Sequence, residues 1–368
     1  MRKWGTWLAV LLVFFWLGLP ARAEEDFTRE LEREIGADRL GDQLEEEPRD
    51  LLEQAGVTGV ENVDRGGELF QVFSGLVREK LLGPLKALGT VVALVLLCRL
   101  AEALAGEAVH STVSFAGTLA TAAVVLTPLL GVMDRARRAV EGAGVFLAGA
   151  VPVYGGLLVA SGSPGAGTGY LTWAMGLANA LPLVSTALLF PGMQLFLVLA
   201  VADAASELGT GELAKSVYSA AKWVLVLAVT AFSGALSVQT LLGVQGDAAA
   251  GKTLKFLTAS AVPVVGGAFG DGMAAIQSSV AVLRSGAGAF GILAALCIFV
   301  PTALEAALWA ALCSVGRIAG AWFGEQRLSR LLGLCGDAAR MILAVLAAVC
   351  AAVAVCAAIL LTVKGGWT

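Results

Sequence analysis

"YLTWAMGLANALPLVSTALLFPGMQLFLVLAVADA", residues 170–204, carries a single charged residue, Asp203. A soluble core does not need so long an uncharged run, whereas a bilayer with about 30 Å of hydrocarbon does. The stretch exceeds what one helix needs at about 1.5 Å per residue. Pro182 and Pro191 lie inside it, and an interior proline removes a helix hydrogen bond. It therefore reads as a broken helix or as two short ones. Further nearly uncharged runs suggest spans at roughly 86–105, 113–133, 139–161, 221–243, 256–280, 287–312 and 340–363. Counted together they predict about seven membrane crossings.

Composition agrees. Of 368 residues, 58% are hydrophobic and 15% charged, and the mean hydropathy is +0.81. Soluble domains are about one quarter charged, and cores of this size cannot hide so much apolar surface. The expected fold class is all-α: a polytopic helical membrane protein.

Three regions differ along the chain. Residues 1–23 combine Arg2 and Lys3, an apolar run from Trp7 to Leu19, Pro20 and Ala21-Arg22-Ala23. That is the pattern of a secretory signal peptide cut after Ala23. Residues 24–80 are acidic, with 17 of the 29 Asp and Glu against 7 of the 25 Lys and Arg. Their beginning reads as a solvated helix with Leu31, Ile35 and Leu40 on one side. Leu69, Phe70, Phe73, Leu76, Val77 and Leu81 share a face, which suggests a helix lying in the interface before the first span. The remainder, 81–368, is the multispanning domain. The signal peptide puts the acidic region outside the cytoplasm. Strict alternation then puts Arg135, Arg137 and Arg138 outside too, against the usual preference of basic loops for the cytoplasm.

Chemistry-bearing motifs are few. The six cysteines show no C-x-x-C spacing and His110 has no cluster beside it, so neither a disulfide framework nor a metal site is expected. "GDAAAGKT" (246–253) fits the phosphate-loop pattern, which needs a buried strand before it and a helix after it. Here an apolar stretch of span length precedes, and Pro263 with two glycines follows. Lys252 and Lys255 read better as interfacial basic anchors at a span end, and no cofactor is expected.

An internal repeat says more. "AVPVYGG" (150–156) and "AVPVVGG" (261–267) differ at one position, and each follows a basic cluster and a similar span end, "TPLLG" (127–131) or "QTLLG" (239–243). Proline and paired glycines free backbone groups that lipid cannot satisfy. Interruptions at matching positions of two halves point to a passage for a transported species; close helix packing on small residues is the alternative. Pro152, Gly155, Gly156, Pro263, Gly266 and Gly267 are thus candidate bend or passage residues. Asp271 joins them as an acidic group near membrane depth.

From about Lys215 to Gly291 the chain resembles the stage III sporulation protein AE family. The similarity is carried by "AKWVLVLAVTAFSGALSVQTLLG" (221–243), Asp247, Lys255-Phe256, "VPVVGG" (262–267) and "AVLRSGAGAFGI" (281–292). The resemblance implies a non-enzymatic multispanning component of a channel or secretion-like complex, in the mother-cell membrane surrounding the forespore. It implies as partners the other stage III sporulation membrane proteins, the associated secretion-type ATPase and the forespore stage II sporulation protein Q, and no nucleic acid. From the residues alone, a stand-alone secondary transporter for a small solute is the competing reading.

Overall fold

The computed structural model describes residues 33, 36–60, 63, 69–105, 107–161, 164–205, 209–235 and 266–362. Every regular element among them is helical. Two 3₁₀ turns, Ala37–Arg39 and Gly41–Gln43, lead into α1, Glu46–Gln54. The bundle proper comprises α2 (Leu69–Ala105), α3 (Glu107–Ala160), α4 (Pro164–Val184), α5 (Phe190–Ala205), α6 (Gly211–Ala235), α7 (Gly266–Trp322) and α8 (Gln326–Thr362). Six stretches within these helices are long and apolar enough to cross a membrane.

Several expected spans fuse. The stretches 113–133 and 139–161 form one helix of 54 residues, α3, which passes through Pro128 and Pro152 without ending. The charged residues between them, Asp134 to Glu141, are good helix formers on their solvated side, and no glycine–proline stop separates the halves. Likewise, the predicted interfacial helix at 69–81 is the first part of α2 and runs through Pro84 into the span.

The 170–204 stretch is broken, but gently. α4 passes into a π-helical turn, Ser185–Leu189, and α5 follows directly. Two prolines explain the place. Pro182 and Pro191 each lack the N–H that an α-helix needs, so the ladder is weakened on both sides of the turn. The Thr186 hydroxyl donates to the Pro182 carbonyl at 2.7 Å, one turn back. Gly144 of α3 makes room for the kinked face: a Cβ there would lie 2.5 Å from Pro182 Cγ and 3.0 Å from the Ala178 carbonyl.

The helices run alternately up and down. α7 and α8 form an antiparallel hairpin through Gly324, whose φ of 77° is left-handed. The Glu325 N–H donates to the Gly320 carbonyl at 2.8 Å and the Gly324 N–H to Ala321 at 3.1 Å, the paired bonds of a glycine C-cap. Small residues let the two axes approach: Gly288 and Gly291 face Ala357, Gly316 faces Leu332, and Gly336 faces Cys313. This is the packing that suits helices without a hydrophobic drive between them. α3 is antiparallel to α7, with Arg135 beside Glu305 and Tyr154 beside Gly291. The α4–α5 run is antiparallel to α8: Tyr170 donates to the Cys356 carbonyl at 3.3 Å, and Asp203 meets Arg330 at 3.6 Å. α6 returns along it, with Tyr218 against Phe196 and Phe232 against Trp173.

The acidic segment is not merely a solvated helix. Ala37, Leu40, Leu44, Leu51, Leu52, Ala55, Val57 and Val60 are buried in the same core as the membrane helices. Leu31 and Ile35 fall outside the described residues. Gly142, Gly149 and Gly286 form its seat: their missing side chains are replaced by Glu45, Gln43 and Val60 respectively. The acids turn outward while the apolar side docks.

Candidate functional site: a charge cluster at mid-bundle

Glu305 stands about two-thirds of the way along α7 in a run otherwise without charge from Ser285 to Gly316. Its side chain is 14% exposed, and two cations converge on it. Arg135 of α3 donates through Nε to Oε2 at 3.0 Å and through Nη2 to Oε1. Lys80 of α2 approaches Oε2 at 4.0 Å. The two-point guanidinium contact fixes orientation as well as charge. A carboxylate in so apolar a setting needs such partners, because an unpaired buried charge is very costly.

The cluster continues to the acidic segment. Arg135 and Arg138 of α3 and Thr302 of α7 line a cavity of about 110 Å³ together with Glu45, Glu47 and Pro48. Arg137 pairs with Glu141 at 3.0 Å, and Arg138 with Asp134 at 2.9 Å. The basic cluster is therefore compensated within its own neighbourhood. A second group ties one end of the bundle. Ser114 donates to Glu325 at 3.1 Å, Arg99 lies 3.4 Å from the same carboxylate, and Asp203 faces both Arg330 and the first residue of α6, Gly211. A carboxylate at that helix start also complements its dipole.

Between α4, α6 and α8 opens an apolar groove of about 730 Å³, lined by residues such as Trp173, Leu189, Phe232 and Val349. The π turn contributes Ser185 and Leu189 to its wall. Among the described residues, no three His, Cys, Asp or Glu side chains converge as metal ligands would.

The repeat residues are placed as follows. Pro152, Gly155 and Gly156 lie inside α3. Gly155 packs closely, since a Cβ there would meet Leu171 of α4 at 2.6 Å. Tyr154, between them in sequence, is fully buried; its ring lies 6.3 Å from that of Tyr170, and its hydroxyl finds no partner among the described residues. Gly266 and Gly267 open α7, and Asp271 follows in its second turn. Pro263, Lys252 and Lys255 lie outside the described residues, as does the 246–253 loop. Upstream of it, the described residues are helix as far as Ala235. The structure thus gathers Arg135 with Lys80 and Glu305, a meeting that sequence reasoning missed. The available signal was the isolation of Glu305 in an apolar run, since ionisable residues at membrane depth are rare without a partner.

The family model for stage III sporulation protein AE matches residues 56–364. The chain belongs to that family. No curated protein and no solved structure matches it. Membership extends well beyond the 215–291 stretch where the resemblance is plainest. It takes in all of α2–α8, including Lys80, Arg135 and Glu305. This stage III sporulation family member is a multi-pass membrane protein, with the charge cluster at its centre.

Proposed function

We propose that the chain is a non-enzymatic component of a channel or secretion-like complex linking mother cell and forespore, required for late forespore development. The observation that carries this reading is the family match over 56–364. Its site would be the mother-cell membrane around the forespore, with the signal peptide 1–23 delivering the acidic segment to the space between the two membranes. Its partners would be the other stage III sporulation membrane proteins, the associated secretion-type ATPase that supplies nucleotide hydrolysis, and the forespore stage II sporulation protein Q. The long antiparallel hairpins favour this reading: they offer extended surfaces along which other membrane proteins can pack.

The experiment is deletion with complementation during sporulation, scored by a late forespore reporter, together with affinity capture from sporulating cells. Loss of late forespore expression and co-capture of the partner proteins are expected. A deletion strain with normal late expression overturns the proposal. The apolar groove between α4, α6 and α8 favours a second reading, a stand-alone transporter. Purified protein moving a solute across vesicles without partners would establish that reading instead.

A further inference from the structure

The helices are too long for one bilayer. At about 1.5 Å per residue, α3 and α7 extend roughly 80 Å, against hydrocarbon about 30 Å thick. The shorter helices show how that length is divided. α2 meets the α7–α8 turn at Arg99–Glu325 and descends to Lys80–Glu305. α6 begins at the same end, where Gly211 adjoins Asp203. Both are poorly covered by protein, 17% and 6% buried over their most apolar windows, and present Leu97 and Leu227 outward. The bundle therefore has one layer in which α2 and α6 flank the other helices. In a second layer, beyond the Lys80–Arg135–Glu305 cluster, α3 and α7 continue beside α4 and the second half of α8, which Gly155–Leu171 and Tyr170–Cys356 bring to that depth.

Hydropathy would place that second layer in lipid, because residues 142–160, 164–184 and 341–362 carry no charge. The acidic segment says otherwise. It lies along this part of α3, with Glu45 at Gly142, Gln43 at Gly149 and Gly36 at Val153. It exposes the carboxylates of residues 42, 45, 46, 47, 50 and 53 against Arg39 and Arg49, with Glu45 at Gly142 and Glu47 at the Arg135–Arg138 cavity. The first layer holds less charge away from its ends: the Asp337–Arg340 pair at 2.7 Å, Lys86, Lys222 and Arg317. Each charge in hydrocarbon costs at least about 2.5 kcal/mol on insertion scales, so the layer bearing the acidic segment is the one that hydrocarbon must avoid. We infer that the bilayer covers only the first layer. The second layer, with residues 142–160 of α3 and the facing parts of α4, α7 and α8, stands in water on the side of the acidic segment. That segment roofs one flank of it. Which side this is rests on the orientation given under Proposed function.

Cysteine accessibility tests the placement in full-length protein lacking its six native cysteines, in cells before engulfment is complete. Val145→Cys and Val282→Cys, at positions 61% and 65% exposed, should label with a membrane-impermeant maleimide as readily as Asp42→Cys. Leu97→Cys and Leu227→Cys should stay unlabelled. Val145→Asp should insert to wild-type levels, and Leu97→Asp should not. The inference is overturned if Val145→Cys and Val282→Cys stay silent before and after permeabilisation while Asp42→Cys labels, or if Val145→Asp blocks insertion. Labelling of all three only after permeabilisation would uphold the projecting layer and overturn the orientation alone.

Discussion

Arg135 on α3 and Glu305 on α7, 170 residues apart in sequence, are joined by a two-point guanidinium–carboxylate contact at the middle of the bundle. Lys80 of α2 completes the cluster. Three helices that need not otherwise share a register are fixed relative to one another there.

Breaking the pair should cost more than a surface ion pair. Glu305→Ala leaves Arg135 and Lys80 facing each other with no anion, an expected loss of about 3 kcal/mol, the lower end for a disrupted buried pair. Thermal unfolding in detergent should show it. The reversed pair Arg135→Glu with Glu305→Arg should recover much of the loss. A reversal that recovers nothing would mean the two side chains act independently.

The docked acidic segment should come loose if its apolar side is spoiled. Leu52 is 2% exposed, and burying such a side chain contributes about 1.5–3 kcal/mol. Leu52→Asp removes that contribution and adds a charge with no partner. Trypsin should then cut at Arg39 and Arg49 much faster than in the wild type, with the membrane helices still inserted. Unchanged cleavage would show that the segment is held by something other than its apolar contacts.

The two glycine pairs of the repeat should respond differently to bulk. Gly155→Leu must displace Leu171, and overpacking of this kind costs about 1–3 kcal/mol. Lower protein levels and a lower unfolding temperature are expected. Gly267→Leu, at the opening of α7, should insert and localise normally yet fail to support late forespore gene expression, with Pro263→Ala intermediate. If Gly267→Leu sporulates normally, that position plays no part in a passage. If the protein vanishes, both pairs serve packing.

Lys252→Ala should leave nucleotide binding unchanged, because none is expected in the wild type. Equilibrium dialysis with ATP would decide it. Saturable binding that this substitution abolishes would reinstate the phosphate loop.

The class of the fold was legible because lipid imposes one requirement, uncharged length, and residues 170–204 declare it. The break near Pro182 and Pro191 was legible too, since a missing N–H is written in the sequence. Its form, a π turn, was not, because a missing N–H marks where the ladder weakens and not how the next turn pairs. The fusion of two expected spans into α3 went unseen because hydropathy ends a span at Asp134, whereas helix formation does not. The meeting of Arg135 with Glu305 was hidden for a plainer reason. Periodicity reports which face of one helix is apolar, not which residue of a distant helix will stand opposite. The docking of Leu51, Leu52 and Val57 was masked by the acids around them, which dominate any average over the segment.

The π turn at Ser185–Leu189 has a consequence for phase. One surplus residue in a helix advances everything after it by about 100° of rotation. Asp203, fourteen residues past the turn, meets Arg330 only at the azimuth this surplus sets. Shortening the turn by one residue would swing the carboxylate away from α8 and from the start of α6. The local irregularity therefore works as an angular offset, dialling a distant ion pair into place across the width of the membrane.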